Sequence, residues 1–160
     1  MNYSNNIKVL MVPEIALERQ YKFSRSKCLA VQRFDYQLCR TRNESLKTVG
    51  GTIQPTLVFT LRLTSFLNAE IFYDHLKKRE PFGYTFLFNA TFDRETNLLD
   101  HADDEMLVRG YVVDVQEDFN TGLSDHKHQA LITVELKLTT ITYVGEGREL
   151  EHRISNTVDF

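Results

Sequence analysis

From Phe34 onward apolar and polar residues alternate with a period of two, and the pattern is broken once by a stretch of helical period. Phe34, Tyr36 and Leu38 occupy every second position of the first clear strand. The polar stretch Arg40–Lys47 then runs into Gly50-Gly51, a turn signal. Ile53, Leu57, Phe59, Leu61 and Leu63 share one face of a second strand. Between about Ser65 and Arg79 the chain reads as a helix, most clearly over Asn68–Arg79. Ser65 or Asn68 can cap it, Glu70 lies early, Lys77, Lys78 and Arg79 lie late, and Pro81 and Gly83 stop it. At about 100° per residue, Ala69, Phe72, Tyr73 and Leu76 form one stripe. Leu67 and Ile71 point nearly the opposite way. Either these two are ordinary exposed apolar side chains, or the helix packs on its own domain on one side and on a neighbouring subunit on the other.

Strand character resumes at Tyr84–Phe92, with Tyr84, Phe86, Phe88, Ala90 and Phe92 on one aromatic face, and Asp93–Asn97 forms a turn. Leu107–Glu117 alternates again, and the pattern places Leu107, Tyr111, Val113 and Val115 together. The last strand, about Gln129–Val144, is the longest. Ala130, Ile132, Val134, Leu136 and Leu138 hold its even positions, and then Ile141 and Tyr143 take odd ones. That parity switch requires a bulge or bend between Leu138 and Ile141. Before Ser26 the pattern is faint: a short strand at Ile7–Val12, interrupted by Pro13, then an irregular arm. After Gly145 the chain is polar and is expected to be loose. These elements predict one mainly β domain over residues 1–160, an antiparallel β-barrel with a single flanking α-helix. Residues 1–26 are its divergent N-terminal arm and 146–160 its polar C-terminal tail.

Composition narrows the functions available. With 42% apolar and 26% charged residues, the chain can bury a core and is not a disordered segment. A net charge of −3 with scattered Lys and Arg argues against nucleic-acid binding. No segment approaches the roughly 20 apolar residues that span a bilayer. Ile7–Val12 is too short, and too poor in basic flanks, to be a secretion signal, so a cytoplasmic protein is expected. If Cys28 and Cys39 share one strand, a rise of about 3.3 Å per residue keeps them too far apart to pair, and both read as small buried hydrophobes.

No pattern carries chemistry. His126-Lys127-His128 offers an i, i+2 pair but lacks the further ligands of a structural zinc. Asp100, Asp103, Asp104 and Glu105 lack the ligand spacing and central glycine of a calcium loop. Nucleophile-elbow, phosphate-loop and dinucleotide motifs are absent from the sequence, and neither cysteine has a neighbour that would lower its pKa. Asp114 and Glu117 fall on opposite strand faces, wrong for paired acid–base work. The expectation is a protein with no catalytic residues, no cofactor and no metal.

The order of features resembles a known family. Phe34–Leu38, the polar stretch, Val49-Gly50-Gly51-Thr52-Ile53 and a strand ending near Thr64 are followed by a short helix. Tyr84–Phe92, Val108–Phe119 and Ala130–Tyr143 running into Gly145 complete the order. Over roughly Ala30–Gly145 this is similar to the tube protein of type VI secretion systems, the hemolysin-coregulated protein, in its Bacteroidetes form. The resemblance implies a β-barrel of two sheets with a flanking helix. It also implies homohexameric rings, stacked into a tube that is assembled in the bacterial cytoplasm and secreted without a signal peptide. Its partners would be further copies of itself and the sheath, spike and effector proteins of the machine, with no nucleic acid and no membrane insertion. Leu67 and Ile71 would then lie at the ring interface. The loop carrying Arg40, Arg42, Glu44 and Lys47 would reach to the next ring. Two alternatives stay open: a phage-tail-tube-like component of the same fold, and a small-ligand-binding barrel whose cavity is lined by Tyr84, Phe86, Phe88 and Phe92.

Overall fold

The computed structural model of the chain describes residues 8–14, 23–37, 55–63, 69–121, 128–145 and 148–153. Its strands are β1 (Val9–Val12), β2 (Leu29–Gln37), β3 (Thr56–Leu63), β4 (Phe82–Phe88), β5 (Thr91–Phe92), β6 (Leu99–His101), β7 (Asp104–Thr121), β8 (His128–Gly145) and β9 (Arg148–Arg153). One helix, α1 (Glu70–Lys78), lies between β3 and β4. The pairing order β3-β2-β1-β4-β7-β8, with β3 returning to β8, closes an antiparallel barrel. β9 continues the sheet beyond β8, and β5 and β6 form a separate small hairpin. The expected mainly β barrel with one helix is the architecture found.

The long last strand is bulged where the parity switch predicts it. Arg109 pairs with Thr140 but Gly110 pairs with Leu138, so Thr139 is the extra residue. Its hydroxyl donates to the Arg109 carbonyl at 3.1 Å, and the Leu138 N–H donates to the Pro55 carbonyl at 2.9 Å. Ile132, Val134, Leu136 and Leu138 before the bulge, and Ile141 after it, are all fully buried. The bulge also divides the partners of β8: β3 takes residues up to Lys137 and β9 takes Thr140–Gly145.

Two further bulges in the described barrel strands were not legible. Gln32 is extra in β2, between Val31 opposite Leu61 and Arg33 opposite Thr60. Val113 is extra in β7, between Val112 opposite Leu136 and Asp114 opposite Glu135. The second overturns the face expected for this strand. Met106, Val108 and Val112 point into the core, and Val115 joins them only because the bulge resets the parity. Leu107, Tyr111 and Val113 are left on the other, half-buried face.

The barrel interior is filled by side chains. Phe59 meets Phe86 edge-on at 5.3 Å between centroids, Phe72 of the helix at 6.1 Å, and Tyr84 at 6.2 Å. Tyr84 and Phe86 are fully buried in this cluster and serve as packing, whereas Phe88 and Phe92 are half-buried. A smaller core lies outside the barrel, where Val12, Phe23 and Leu87 meet Leu10, Cys28, Ala90 and Leu99. β4 is therefore covered on both faces, which is why four successive residues, Tyr84–Leu87, are buried. The Asp93 carboxylate caps the expected turn by accepting from the backbone N–H groups of Glu95 and Thr96 at 2.8 and 3.2 Å. Burial pushes the Cys28 thiol up to about 11, so it stays neutral; Cys39 lies outside the described residues. The chain after Gly145 is not loose throughout. Arg148–Arg153 form β9 because the upper part of β8, left free by β3, offers a ladder.

Candidate functional site

The helix is held to the barrel by a polar joint set in an aromatic one. Phe72 and His75 are its buried side chains, and Ala69 at its N-cap is buried too. His75 is 6% exposed, its Nδ1 lies 2.6 Å from the Tyr84 hydroxyl, and its ring stacks on Phe82 at 3.6 Å. Burial lowers the His75 pKa; Asp74 and Glu80 oppose that shift, and Lys78 adds to it. The helix ends at Arg79, which adopts the left-handed conformation with φ 52°. On the outside, Lys78 and Asp74 pair at 3.0 Å.

The buried stripe is turned from the expected one. Tyr73 is exposed, and His75 takes the inward place. Ile71, one helical turn before His75, is consequently half-buried and packs against the barrel core, so it is not turned wholly away from its own subunit. Leu67 lies outside the described residues. So do Arg40, Arg42, Glu44 and Lys47, the expected stacking loop. No sequence signal singled out His75, because a helical histidine among charged neighbours looks like a surface residue.

A second surface lies at the barrel end where β2, β4, β7 and β8 meet. Phe34, Tyr36, Phe88 and Tyr143 form an apolar groove there, with Asp104 and Glu105 on its rim. The Tyr36 and Tyr143 hydroxyls hydrogen-bond to each other across it. Burial raises the pKa of Glu105, with His101 acting the other way. Leu150 of β9 projects beside the groove and is 57% exposed. Sequence reasoning missed this strand, since its one apolar residue gives no alternation.

Among the described residues no group of three or more His, Cys, Asp or Glu is placed to hold a metal, and no helix is long and apolar enough to cross a membrane. Asp114 and Glu117 are both exposed. His126 lies outside the described residues. Among the described residues the candidate site is thus this pair of surfaces, the helix joint and the apolar groove.

No family model matches the chain, and no curated protein matches it in sequence. Solved structures do match. An Hcp protein superposes with a TM-score of 0.65 at 11% identity, covering 94% of this chain and 99% of that one. Secreted Hcp3 from Pseudomonas aeruginosa gives 0.55 at 10% identity, over 94% and 99%. Hcp1 from Flavobacterium johnsoniae gives 0.54 at 13% identity, over 91% and 99%. The fold of this chain is the Hcp fold along nearly its whole length, as the order of strands and turns implied.

Proposed function

We propose that the chain is a structural subunit of a type VI secretion tube. It closes into homohexameric rings that stack and carry effectors, and it does mechanical work without turnover. The observation that carries this reading is the breadth of the likeness, since 94% of the chain and 99% of an Hcp protein superpose. The packed interior supports the same conclusion, because a barrel filled by Phe59, Phe72, Tyr84 and Phe86 has its free surfaces on the outside.

A ring of identical subunits needs a heterologous joint, one surface of each subunit meeting a different surface of the next. The side of the helix that carries Ile71, together with Leu67 just ahead of the helix in sequence, serves as one half of that joint. The Arg40–Thr52 loop serves the contact between rings. Assembly takes place in the bacterial cytoplasm, and the sheath, the spike and the effectors are the other partners. Native mass spectrometry with negative-stain electron microscopy tests the reading. The expected result is a sixfold multiple of the 18.7 kDa chain and ring-shaped particles. A monomer persisting at micromolar concentration would overturn it.

A further inference from the structure

We infer that a cationic recess on the outer wall of the barrel is a docking site for an acidic protein segment bearing an apolar side chain. Leu10 of β1, Ala30 of β2 and Arg62 of β3 are register partners, so they form one row across three strands. Their chain neighbours Met11 and Leu61 are fully buried in the core, which places the row on the outward face. The β5–β6 hairpin and residues 23–28 build a wall beside it. That wall is joined by backbone bonds from Arg25 N–H to the Asn97 carbonyl at 3.0 Å and from Leu99 N–H to the Phe23 carbonyl at 2.8 Å.

Between row and wall lies a recess of about 520 Å³. Its charged groups are Lys8, Arg25 and Arg62, and its floor includes Leu10, Ala30 and Phe92. No acidic side chain lines it among the described residues. The Arg25 guanidinium lies over the Phe92 ring at 5.8 Å, which fixes its direction. With the Gln32 amide oriented to satisfy both groups, its oxygen accepts from Arg62 Nε and Nη2 at 3.0 Å. That partner is neutral, so the arginine is held in place without losing its charge. Glu14, close in sequence to β1, pairs with Lys27 at 3.8 Å.

Three positive charges thus converge in a chain whose net charge is −3. They come from three separate segments and ring an apolar floor, whereas a site for a small inorganic anion would gather them on one point. Carboxylates on either side of an apolar side chain match this layout. The inference goes beyond the tube reading and does not depend on it.

The test uses the full chain in its native assembly and a fluorescein-labelled Glu-Glu-Phe-Glu-Glu peptide, with Lys-Lys-Phe-Lys-Lys as control. Binding is expected for the acidic peptide alone, weakening as salt is raised. Lys8→Glu with Arg62→Glu should weaken it about tenfold or more. Ala30→Tyr should weaken it too, by filling the recess at an exposed strand position without touching a charge. Circular dichroism confirms that each variant is folded, and Arg62→Gln serves if the reversal is not. The inference is overturned by unchanged binding in these variants, by failure of the acidic peptide to bind, or by inorganic phosphate competing as well as the peptide does. A change of assembly mass in Arg62→Glu would also overturn it, because the recess would then be a contact between copies.

Discussion

Gly110 faces the backbone of Lys137 so closely that a Cβ built on it would stand 2.5 Å from the Lys137 carbonyl oxygen. The contact sits opposite the Thr139 bulge, where β8 bends into β7. Backbone on both sides cannot yield, so Gly110→Ala should cost about 1–3 kcal/mol of stability. Gly145→Ala is the contrast. Its Cβ would meet the exposed Asp104 carboxylate, which can swing aside, and the cost should stay within about 0.5 kcal/mol. Urea denaturation of the two variants checks this, and equal losses would contradict the assigned geometry.

Deleting Thr139 should be far worse than substituting it. Without the extra residue, Ile141 and Tyr143 would turn outward and Thr140 and Thr142 inward. Ile141 is fully buried, and its exposure alone forfeits about 1.5–3 kcal/mol. Loss of the near-ultraviolet circular dichroism signal is expected. A deletion variant as stable as the parent would show that the bulge does not set the register.

How far the fold could be read depended on whether parity ran unbroken. β3 has no bulge, and Leu57, Phe59, Leu61 and Leu63 all lie inside as the pattern says. The Thr139 bulge was legible because apolar residues flank it on both sides. The Val113 bulge was not, because Leu107, Tyr111, Val113 and Val115 happen to make a continuous apolar set, and the true inward set includes a glycine. β4 alternates in sequence but is covered on both faces, which no period reveals. Of the residues expected at the assembly surfaces, only Ile71 falls within the described structure. The recess around Lys8, Arg25 and Arg62 joins three distant segments, so nothing local in the chain announces it.

The buried His75 should make stability depend on pH. Its folded pKa lies below the unfolded value near 6.5, so the unfolded chain takes up the proton first. Stability is then full above about pH 6.5 and falls as the pH drops through that value towards the depressed folded pKa. Glu105, raised by burial, contributes with the opposite sign at lower pH. The difference between wild type and His75→Gln isolates the histidine. That difference in urea midpoint should shrink as pH is lowered from 7.5 to about 5.5, and a constant difference would assign His75 no titrating role.

Ile71→Asp tests the ring joint on the helix. Because Ile71 also touches the subunit's own core, Ile71→Ala is needed as the companion that loses the core contact without adding a charge. Both should lower the melting temperature of the subunit. The aspartate alone should dissolve the assembly, since an unpaired carboxylate would be desolvated at every joint. Native mass spectrometry reads the outcome, and an intact assembly in Ile71→Asp would move the joint elsewhere.

Shortening Arg42–Lys47 separates stacking from ring closure. Rings should survive and long tubes should become rare under the electron microscope. If shortened and native chains form tubes equally well, the loop does not bridge rings.

The divided pairing of β8 also dictates the order in which the chain can fold. β7 and β8 are neighbours in sequence and can zip as a hairpin within microseconds. The β3–β8 seam joins Thr56 to Lys137 and Leu63 to Ala130, across the helix and the whole hairpin. Closing so long a loop carries an entropic cost that only the finished seam repays. Capture of β3 by a hairpin already formed is therefore the step expected to be slowest. Until that moment the row from Ala130 to Lys137 is an unguarded edge, and a newly made chain is at its most prone to aggregate just before the barrel shuts.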